Sequence, residues 1–472
     1  MLLCRGRQPA GRGCIVPKIE ERFQTSSIKK VAFYTFGCKL NQSETSTIAH
    51  QFSQSGYQVV DFEDPADLYI INTCTVTHKA DSKARSTIRK ALKIAPEAFV
   101  AVVGCYAENN PYEIASIEGV DLILGAEEKF RLLDMLANES KGENVWQKNP
   151  SPEILLACEA GDQRTMESTP TLEMEGKTRI FLKIQDGCDY SCSFCIIPSV
   201  RGAGRSLPLN QILDQASQII DNGYKEIVLT GVNTGTYLDE SGHTLVDVLD
   251  ELSEMNGLER IRLSSVEPDR ITPELLQLMS QRDTICNHLH LPLQHGSDRV
   301  LKQMRRRYLS DRYRAVVEQV FSRMPDAGLG ADVMVGFPGE TDEDFARMCE
   351  FIEDLPFSYL HVFTYSKRSG TDAAAMKNQV DSQTHQRRSF VLRQLSRRKR
   401  RQFMDSLKGT RQKVLFEPGD NATYLDGWTD NYARVRVAYQ PELINRVIPV
   451  QIASREGDYL TGEILQEQHE AA

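Results

Sequence analysis

Cys188, Cys192 and Cys195 bring three thiols into eight residues, in the run GCDYSCSFC that begins at Gly187. Thiolates are soft ligands suited to zinc or to iron–sulfur chemistry. Structural zinc is usually held by four ligands in separated pairs, and a structural zinc loop is the competing reading of this run. Three thiolates on one loop can instead each bind one iron of a [4Fe–4S] cube, leaving the fourth iron open to something that reacts.

A second set of three is spread along the chain but ordered by the elements that precede it. Cys38 follows the apolar run Val31–Tyr34 in TFGCKLNQSE, Cys74 follows Leu68–Ile71 in NTCTVT, and Cys105 follows Phe99–Val103 in VVGCYAE. If those runs are neighbouring parallel strands, the three cysteines share one carboxyl edge, where open α/β sheets bind ligands. Eleven cysteines in a chain of this size do not read as a disulfide framework. Cys4, Cys14, Cys158, Cys286 and Cys349 have no comparable placement and read as bystanders.

The elements that must position these thiols follow from composition and periodicity. The chain has 472 residues, 40% hydrophobic and 26% charged, which describes a soluble globular protein of several domains. It has no apolar run of about 18 residues, so no transmembrane helix is expected. Nothing of signal-peptide length precedes the first strand, and a cytoplasmic location is expected. Residues 1–29 read as a disordered extension or an early-called start. Over residues 30–137, Val31–Tyr34, Leu68–Ile71, Phe99–Val103 and Leu122–Leu124 alternate with predicted helices Ser43–Phe52 and Lys79–Leu92, the pattern of a parallel α/β domain. Residues 138–173 are polar and irregular and read as a linker.

Six further βα repeats fill residues 174–405, with strands predicted at Ile180–Gln185, Glu226–Thr230, Arg260–Ser264, His288–Leu293, Gly330–Val335 and Tyr359–Thr364. Two more would be needed to close a full barrel. An open (β/α)6 barrel is therefore expected, with ligands at the carboxyl ends of its strands. TGVNTG follows the second strand and GFPGE the fifth, places where small residues let a backbone approach a ligand. From Arg387 to Arg401 a helix carries eight basic residues in fifteen. Residues 406–467 then hold short β runs (KVLFE, ATYLDGWTDNYARVRVAY, NRVIPVQI, DYLTGEIL), predicting a small OB-like β-barrel. The net charge of −9 argues against nucleic acid in general, but a local basic stripe can still hold RNA.

Taken together, GCKLNQSE, NTCTVTHKADSKAR, GCDYSCSFCIIPSVRGAGRS, LPLQHGSDRVLKQMRRRY, DVMVGFPGETDEDF and LHVFTYSKRSGT resemble the radical S-adenosylmethionine methylthiotransferases. These enzymes have an N-terminal cluster domain, a central radical domain and a C-terminal TRAM domain, and the resemblance covers residues 30–467. GCKLNQ, MRRRY and HVFTYSKRSGT are similar to the subgroup that modifies N6-threonylcarbamoyladenosine in tRNA. Lys39 and Leu40 depart from the GCQMN of the isopentenyladenosine subgroup and from the GCPKN of enzymes acting on a ribosomal-protein aspartate. Those two substrates are the alternatives, and an RNA-binding iron–sulfur protein without catalysis is the rival of a different class.

The resemblance implies two [4Fe–4S] clusters and S-adenosylmethionine. The cluster on Cys188, Cys192 and Cys195 would cleave S-adenosylmethionine to a radical that removes hydrogen from C2 of the adenine. The cluster on Cys38, Cys74 and Cys105 would deliver sulfur, and a second S-adenosylmethionine the methyl group. It implies cofactor contacts at Phe194, Gly231, Asn233, Ser264, Glu267, Gln294, Gly336 and Phe337, a tRNA partner, no membrane, and an electron donor such as flavodoxin or ferredoxin. For RNA, Arg397, Arg398, Arg400 and Arg401 are the phosphate candidates and Trp428 and Tyr432 the stacking candidates. Arg305, Arg306 and Arg307 form a second basic knot. His290 and His295 read as hydrogen-bonded strand-end residues rather than metal ligands.

Overall fold

Apolar runs flanked by turn residues become strands throughout the computed structural model, which describes residues 30–137, 151–156, 166, 178–419 and 423–465. In the first domain β1 (Lys30–Thr35), β2 (Gln58–Val60), β3 (Leu68–Thr73), β4 (Phe99–Gly104), β5 (Leu122–Leu124) and β6 (Glu153–Leu155) pair in parallel, in the order β2-β1-β3-β4-β5-β6. Period-two alternation gives the sheet two dry faces. Tyr69, Ile71, Val100 and Val102 pack with Ala84 and Ile88 on one side; Leu68, Ile70, Ala101 and Val103 pack with Ile48 and Phe52 on the other.

Two expectations change here. The segment predicted as a linker contributes β6, whose three residues gain their structure from the free edge of β5 rather than from any pattern of their own. Helix Lys39–Gln54 starts four residues before the predicted Ser43, because its polar first turn carries no apolar signal. Residues 1–29, predicted as an extension, lie outside the described residues, as do Cys4, Cys14 and Cys158.

The central unit is an open arc. β7 (Arg179–Lys183) leads into a small hairpin of β8 (Gln185–Asp186) and β9 (Arg205–Ser206). β10 (Glu226–Thr230) and β11 (Arg260–Leu263) pair in the order β11-β10-β7. β12 (His288–His290), β13 (Gly328–Val335) and β14 (Tyr359–Thr364) form the other half, and single bridges such as Ser265–His290 join the two. Ile180, Leu182, Ile227, Leu229, Leu289, Ala331 and Val333 face the surrounding helices in one core. Alternation then turns Arg179, Glu226, Arg262, His290, Asp332 and His361 toward the lumen.

Helix Ser382–Ser406 runs along β14, the arc's last strand. The Ser396 hydroxyl accepts from the Leu360 N–H at 3.0 Å and donates to its carbonyl at 3.1 Å, which satisfies an otherwise open sheet edge. β15 (Arg411–Phe416), β16 (Tyr424–Thr429), β17 (Arg434–Ala438), β18 (Val447–Glu456) and β19 (Tyr459–Ile464) close into a barrel in the order β15-β16-β17-β19-β18. Its β16–β17 turn sits against the amino end of the arc, where Arg262 donates to the Asp430 carbonyl at 2.7 Å and Arg260 to that of Trp428 at 2.8 Å. Among the described residues no helix is long and apolar enough to cross a membrane.

Candidate active site between two cysteine triads

The first triad is assembled by the carboxyl ends of β1, β3 and β4. Gly37, at φ +99°, lets the loop carrying Cys38 lie against Cys74; a Cβ there would stand 2.7 Å from the Cys74 Cβ and 3.0 Å from its Sγ. Burial pushes the Cys74 thiol up to about 12, and the neighbouring Cys105 and Cys38 act in the same direction. Thiols crowded this closely, away from water, are a poor resting place for protons or for thiolates, and fit a cluster that takes all three as thiolates.

The second triad lies on the loop after β8. Gly187 (φ +68°) approaches so closely that a Cβ would fall 1.9 Å from the Ala203 carbonyl oxygen. The Cys188 N–H donates to Gly202 at 3.1 Å, and the Cys195 N–H to the Cys192 carbonyl at 3.1 Å, so the loop is shaped before any metal arrives. Burial pushes the Cys195 thiol up to about 12. Arg306, itself buried, donates to Cys192 Sγ at 3.2 Å and pairs with Glu267, placing a cation where an anionic cluster would sit.

The triads are neighbours. Cys105 packs with Ile196 and Val200, the residues just beyond Cys195. Beneath that contact lies a buried charge network that the motifs contain but sequence reasoning missed. Arg201 donates to Glu44 at 2.9 and 3.1 Å, to Asp186 at 3.0 and 3.2 Å, and to Asn41 Oδ1 at 2.8 Å. Lys183 adds contacts to Glu44 at 3.0 Å and Asp186 at 2.7 Å. Burial alone would raise the Glu44 carboxyl, but Arg201, Lys129 and Lys183 outweigh it and hold it well below the carboxylate range. On the far side of the arc Arg368 pairs with Asp81. The N-terminal domain thus touches the arc both beside β7 and beyond β14, spanning its opening.

Around the carboxyl ends of the arc strands the implied cofactor positions are distributed as follows. Both carboxamide atoms of buried Asn233 and the hydroxyl of buried Ser264 have no hydrogen-bond partner among the described residues. Polar atoms left in this state at two adjacent strand ends suit a polar ligand such as the amino-acid and ribose groups of S-adenosylmethionine. Gly231 lies against the Gln185 side chain, its Cβ position 2.9 Å from Oε1. Phe194 meets Phe337 edge-on at 6.5 Å. The Phe337 N–H donates to Glu340 at 3.1 Å, as does that of Gly336, whose open side is filled by the His385 ring. Gln294 adopts φ 61° and accepts from the Met334 N–H at 2.8 Å; Glu267 is committed to Arg306.

The RNA candidates divide. Arg397 and Arg401 are exposed and Arg400 half-buried, and none of the three forms an ion pair among the described residues. Arg398 pairs with Glu353, Lys399 donates to the Leu355 carbonyl at 2.9 Å, and Arg388 binds Glu340 at 3.0 Å, so part of the basic run is structural. Trp428 and Tyr432 correct the stacking expectation. They stack on each other at 4.7 Å; Arg179 lies over Trp428 at 5.3 Å and Arg262 over Tyr432 at 5.0 Å, so protein cations occupy the faces that bases would need. Their edges, with Arg397, Arg400, Tyr359 and His361, line a cavity of about 280 Å³. The Arg305–Arg307 knot serves the cluster loop: besides Arg306, Arg307 lies over the Tyr190 ring at 3.7 Å and Arg305 pairs with Asp372.

His290 is hydrogen-bonded as expected, its Nε2 3.0 Å from Asp332 and its Nδ1 3.2 Å from the Tyr359 hydroxyl. His295 Nδ1 accepts from the Ser297 N–H at 2.9 Å. His361 joins Asp332 at 3.2 Å, a contact that sequence separation concealed.

Family models match two parts of the chain: Uncharacterized protein family UPF0004 at residues 30–125 and the Radical SAM superfamily at residues 182–352. A threonylcarbamoyladenosine tRNA methylthiotransferase MtaB of Bacillus subtilis is 38% identical, covering 92% of this chain and 96% of its own. Its namesake in Aquifex aeolicus is 40% identical, covering 82% and 92%. A tRNA-2-methylthio-N(6)-dimethylallyladenosine synthase of Natranaerobius thermophilus is 32% identical over 94% and 99%. Among solved structures, a radical S-adenosylmethionine methyltransferase of Kitasatospora setae has a TM-score of 0.53 at 15% identity, covering 74% of each chain, a likeness of fold. Similarity that runs through both cysteine domains and the small barrel settles the family: the chain belongs to the radical S-adenosylmethionine methylthiotransferases, in the threonylcarbamoyladenosine tRNA branch.

Proposed function

We propose that the chain converts N6-threonylcarbamoyladenosine beside the anticodon of tRNA into its 2-methylthio form. The observation that carries this reading is the meeting of two cysteine triads across one buried interface, each three-thiol and each at the carboxyl edge of its own sheet. When bound, two [4Fe–4S] clusters and S-adenosylmethionine supply the one-electron chemistry, the sulfur and the methyl group that an inert C–H carbon requires.

The protein's own residues prepare the site. Arg306 sets a fixed positive charge against Cys192, and Arg201 fixes the radical loop to the helix that follows Cys38, so both triads address one lumen. Asn233 and Ser264 offer unpaired polar atoms at the mouth of that lumen. Arg397, Arg400 and Arg401 present cations that can follow tRNA phosphates, with the small barrel as the TRAM domain beside them. A small electron carrier such as flavodoxin or ferredoxin fits the need for a reductant, and the cytoplasm is where such a tRNA substrate would be met.

The deciding experiment is anaerobic incubation of reconstituted protein with dithionite, S-adenosylmethionine and tRNA carrying either threonylcarbamoyladenosine or isopentenyladenosine. Nucleoside mass spectrometry should show a methylthio product from the first. Product from the second alone would favour the isopentenyladenosine reading, and release of no 5′-deoxyadenosine would reduce the chain to a binding module.

A further inference from the structure

We infer that Lys39 takes the carboxylate of the substrate's threonylcarbamoyl group, an inference that rests on the proposed function. Lys39 directly follows Cys38 and begins helix Lys39–Gln54. Its ammonium lies in the field of Arg262, Arg179, Glu226 and Asp332, which belong to β11, β7, β10 and β13, so it points from the first triad into the arc. The other lumen charges are matched. Arg262 binds Glu226 at 2.7 Å, Arg179 binds Glu417 at 2.9 Å, and His290 and His361 both contact Asp332. Among the described residues Lys39 forms no hydrogen bond or ion pair. An unmatched cation in a confined site is costly unless a bound anion completes it.

The substrate chemistry supplies that anion. The N6 substituent ends in a threonine carboxylate. Its ureido N–H can close an internal hydrogen bond to ring N1, which turns the threonine end toward the C2 side of the base. C2 is the carbon that must face the sulfur-delivering triad, so the carboxylate arrives on the side where Lys39 stands. An isopentenyl group carries no charge and would leave the ammonium unmatched. A site built for a polar group rejects the analogue that lacks it, so one residue would both bind the correct tRNA and disfavour the other.

The test uses synthetic anticodon stem-loops carrying threonylcarbamoyladenosine or the same group with its carboxylate capped as threoninamide, given to the reconstituted holoenzyme. Capping should lower kcat/KM in the wild type by about 10- to 150-fold, the range for a hydrogen bond to a charged group. In Lys39→Met, with iron content checked, the two loops should be modified at rates within about twofold of each other. Fluorescence anisotropy without reductant should show the same loss of discrimination in Kd. Should the Met variant lose its iron, Lys39→Gln is read in its place. A wild type that treats both loops alike, or a variant that keeps the full discrimination, overturns the role of Lys39 alone. A wild type that ignores threonylcarbamoyladenosine and modifies isopentenyladenosine refutes the proposed function, and this inference with it.

Discussion

Arg201 donates to both carboxylate oxygens of Glu44, at 2.9 and 3.1 Å, across the contact between the two cysteine domains. Both side chains are buried, so the pair is a poor source of net stability but an expensive one to break on one side only. Arg201→Met should therefore cost about 3–5 kcal/mol, read as a lower denaturant midpoint. Arg201→Met combined with Glu44→Gln should cost less than the sum of the two single changes, because no orphaned partner remains. Additive losses would mean that water already separates the pair in solution. Because Arg201 also holds Asn41 at 2.8 Å, three residues beyond Cys38, the single variant should hold iron less firmly in the first triad.

The two triads divide the labour. Reconstituted wild type should hold roughly eight irons per chain, four for each cluster. Cys74→Ala and Cys192→Ala should each approach about half of that. Cys192→Ala should abolish 5′-deoxyadenosine, whereas Cys74→Ala should retain reductive cleavage and lose the methylthio product. Wild-type product formation by the Cys74 variant, or about four irons in the fully reconstituted wild type, would remove the basis for a second cluster.

Glu226 lies at the floor of the arc with Arg262 at 2.7 Å. Burial alone would raise its carboxyl, but Arg262, Arg179 and Arg260 outweigh burial and bring it to about 2. A carboxylate depressed in the folded state stabilises the fold above its unfolded value and loses that contribution as pH falls through the folded value. The window is therefore from about pH 4.5 down to about pH 2, and the contribution at neutral pH is on the order of 3 kcal/mol. Denaturant midpoints of wild type and Glu226→Gln should differ at pH 6 and converge toward pH 2.5. Glu44 and Asp186 are also depressed but are present in both proteins, so they cancel in the comparison. A gap that stays constant with pH would show that Glu226 is not ionised in the folded chain.

The thiols were legible in the sequence because each follows an apolar run of strand length, and phase with the strands needs no knowledge of tertiary contacts. β3, β4 and β10 could be read for the same reason: parallel strands buried on both faces are continuous apolar runs. β6 could not, since the edge of β5 confers its structure. Arg201 and Glu44 stand 157 positions apart, and nothing local distinguishes a buried arginine from an exposed one. Trp428 and Tyr432 misled for the converse reason. An aromatic pair in a basic β-barrel has the composition of a stacking platform, but Arg179 and Arg262 from the neighbouring domain already cover the rings.

That same accounting sharpens how an acidic chain holds an acidic polymer. Of the basic helix, Arg388, Arg398 and Lys399 are engaged by Glu340, Glu353 and the Leu355 carbonyl, which leaves Arg397, Arg400 and Arg401 to meet phosphates. Each phosphate contact contributes about 0.7–0.9 to the slope of log K against log salt. Replacing Arg397, Arg400 and Arg401 with glutamine should flatten that slope by about 0.7 to 2.7, according to whether one or all three touch RNA. Arg398→Gln alone should change it little, because its charge is already opposed by Glu353. S-adenosylmethionine cleavage without tRNA should survive the triple change, since these side chains lie on the helix beside β14 and away from both cysteine loops, while modification of tRNA weakens. If the triple variant kept the wild-type slope, the arginines would be a solvated face and RNA affinity would have to come from the exposed surface of the small barrel.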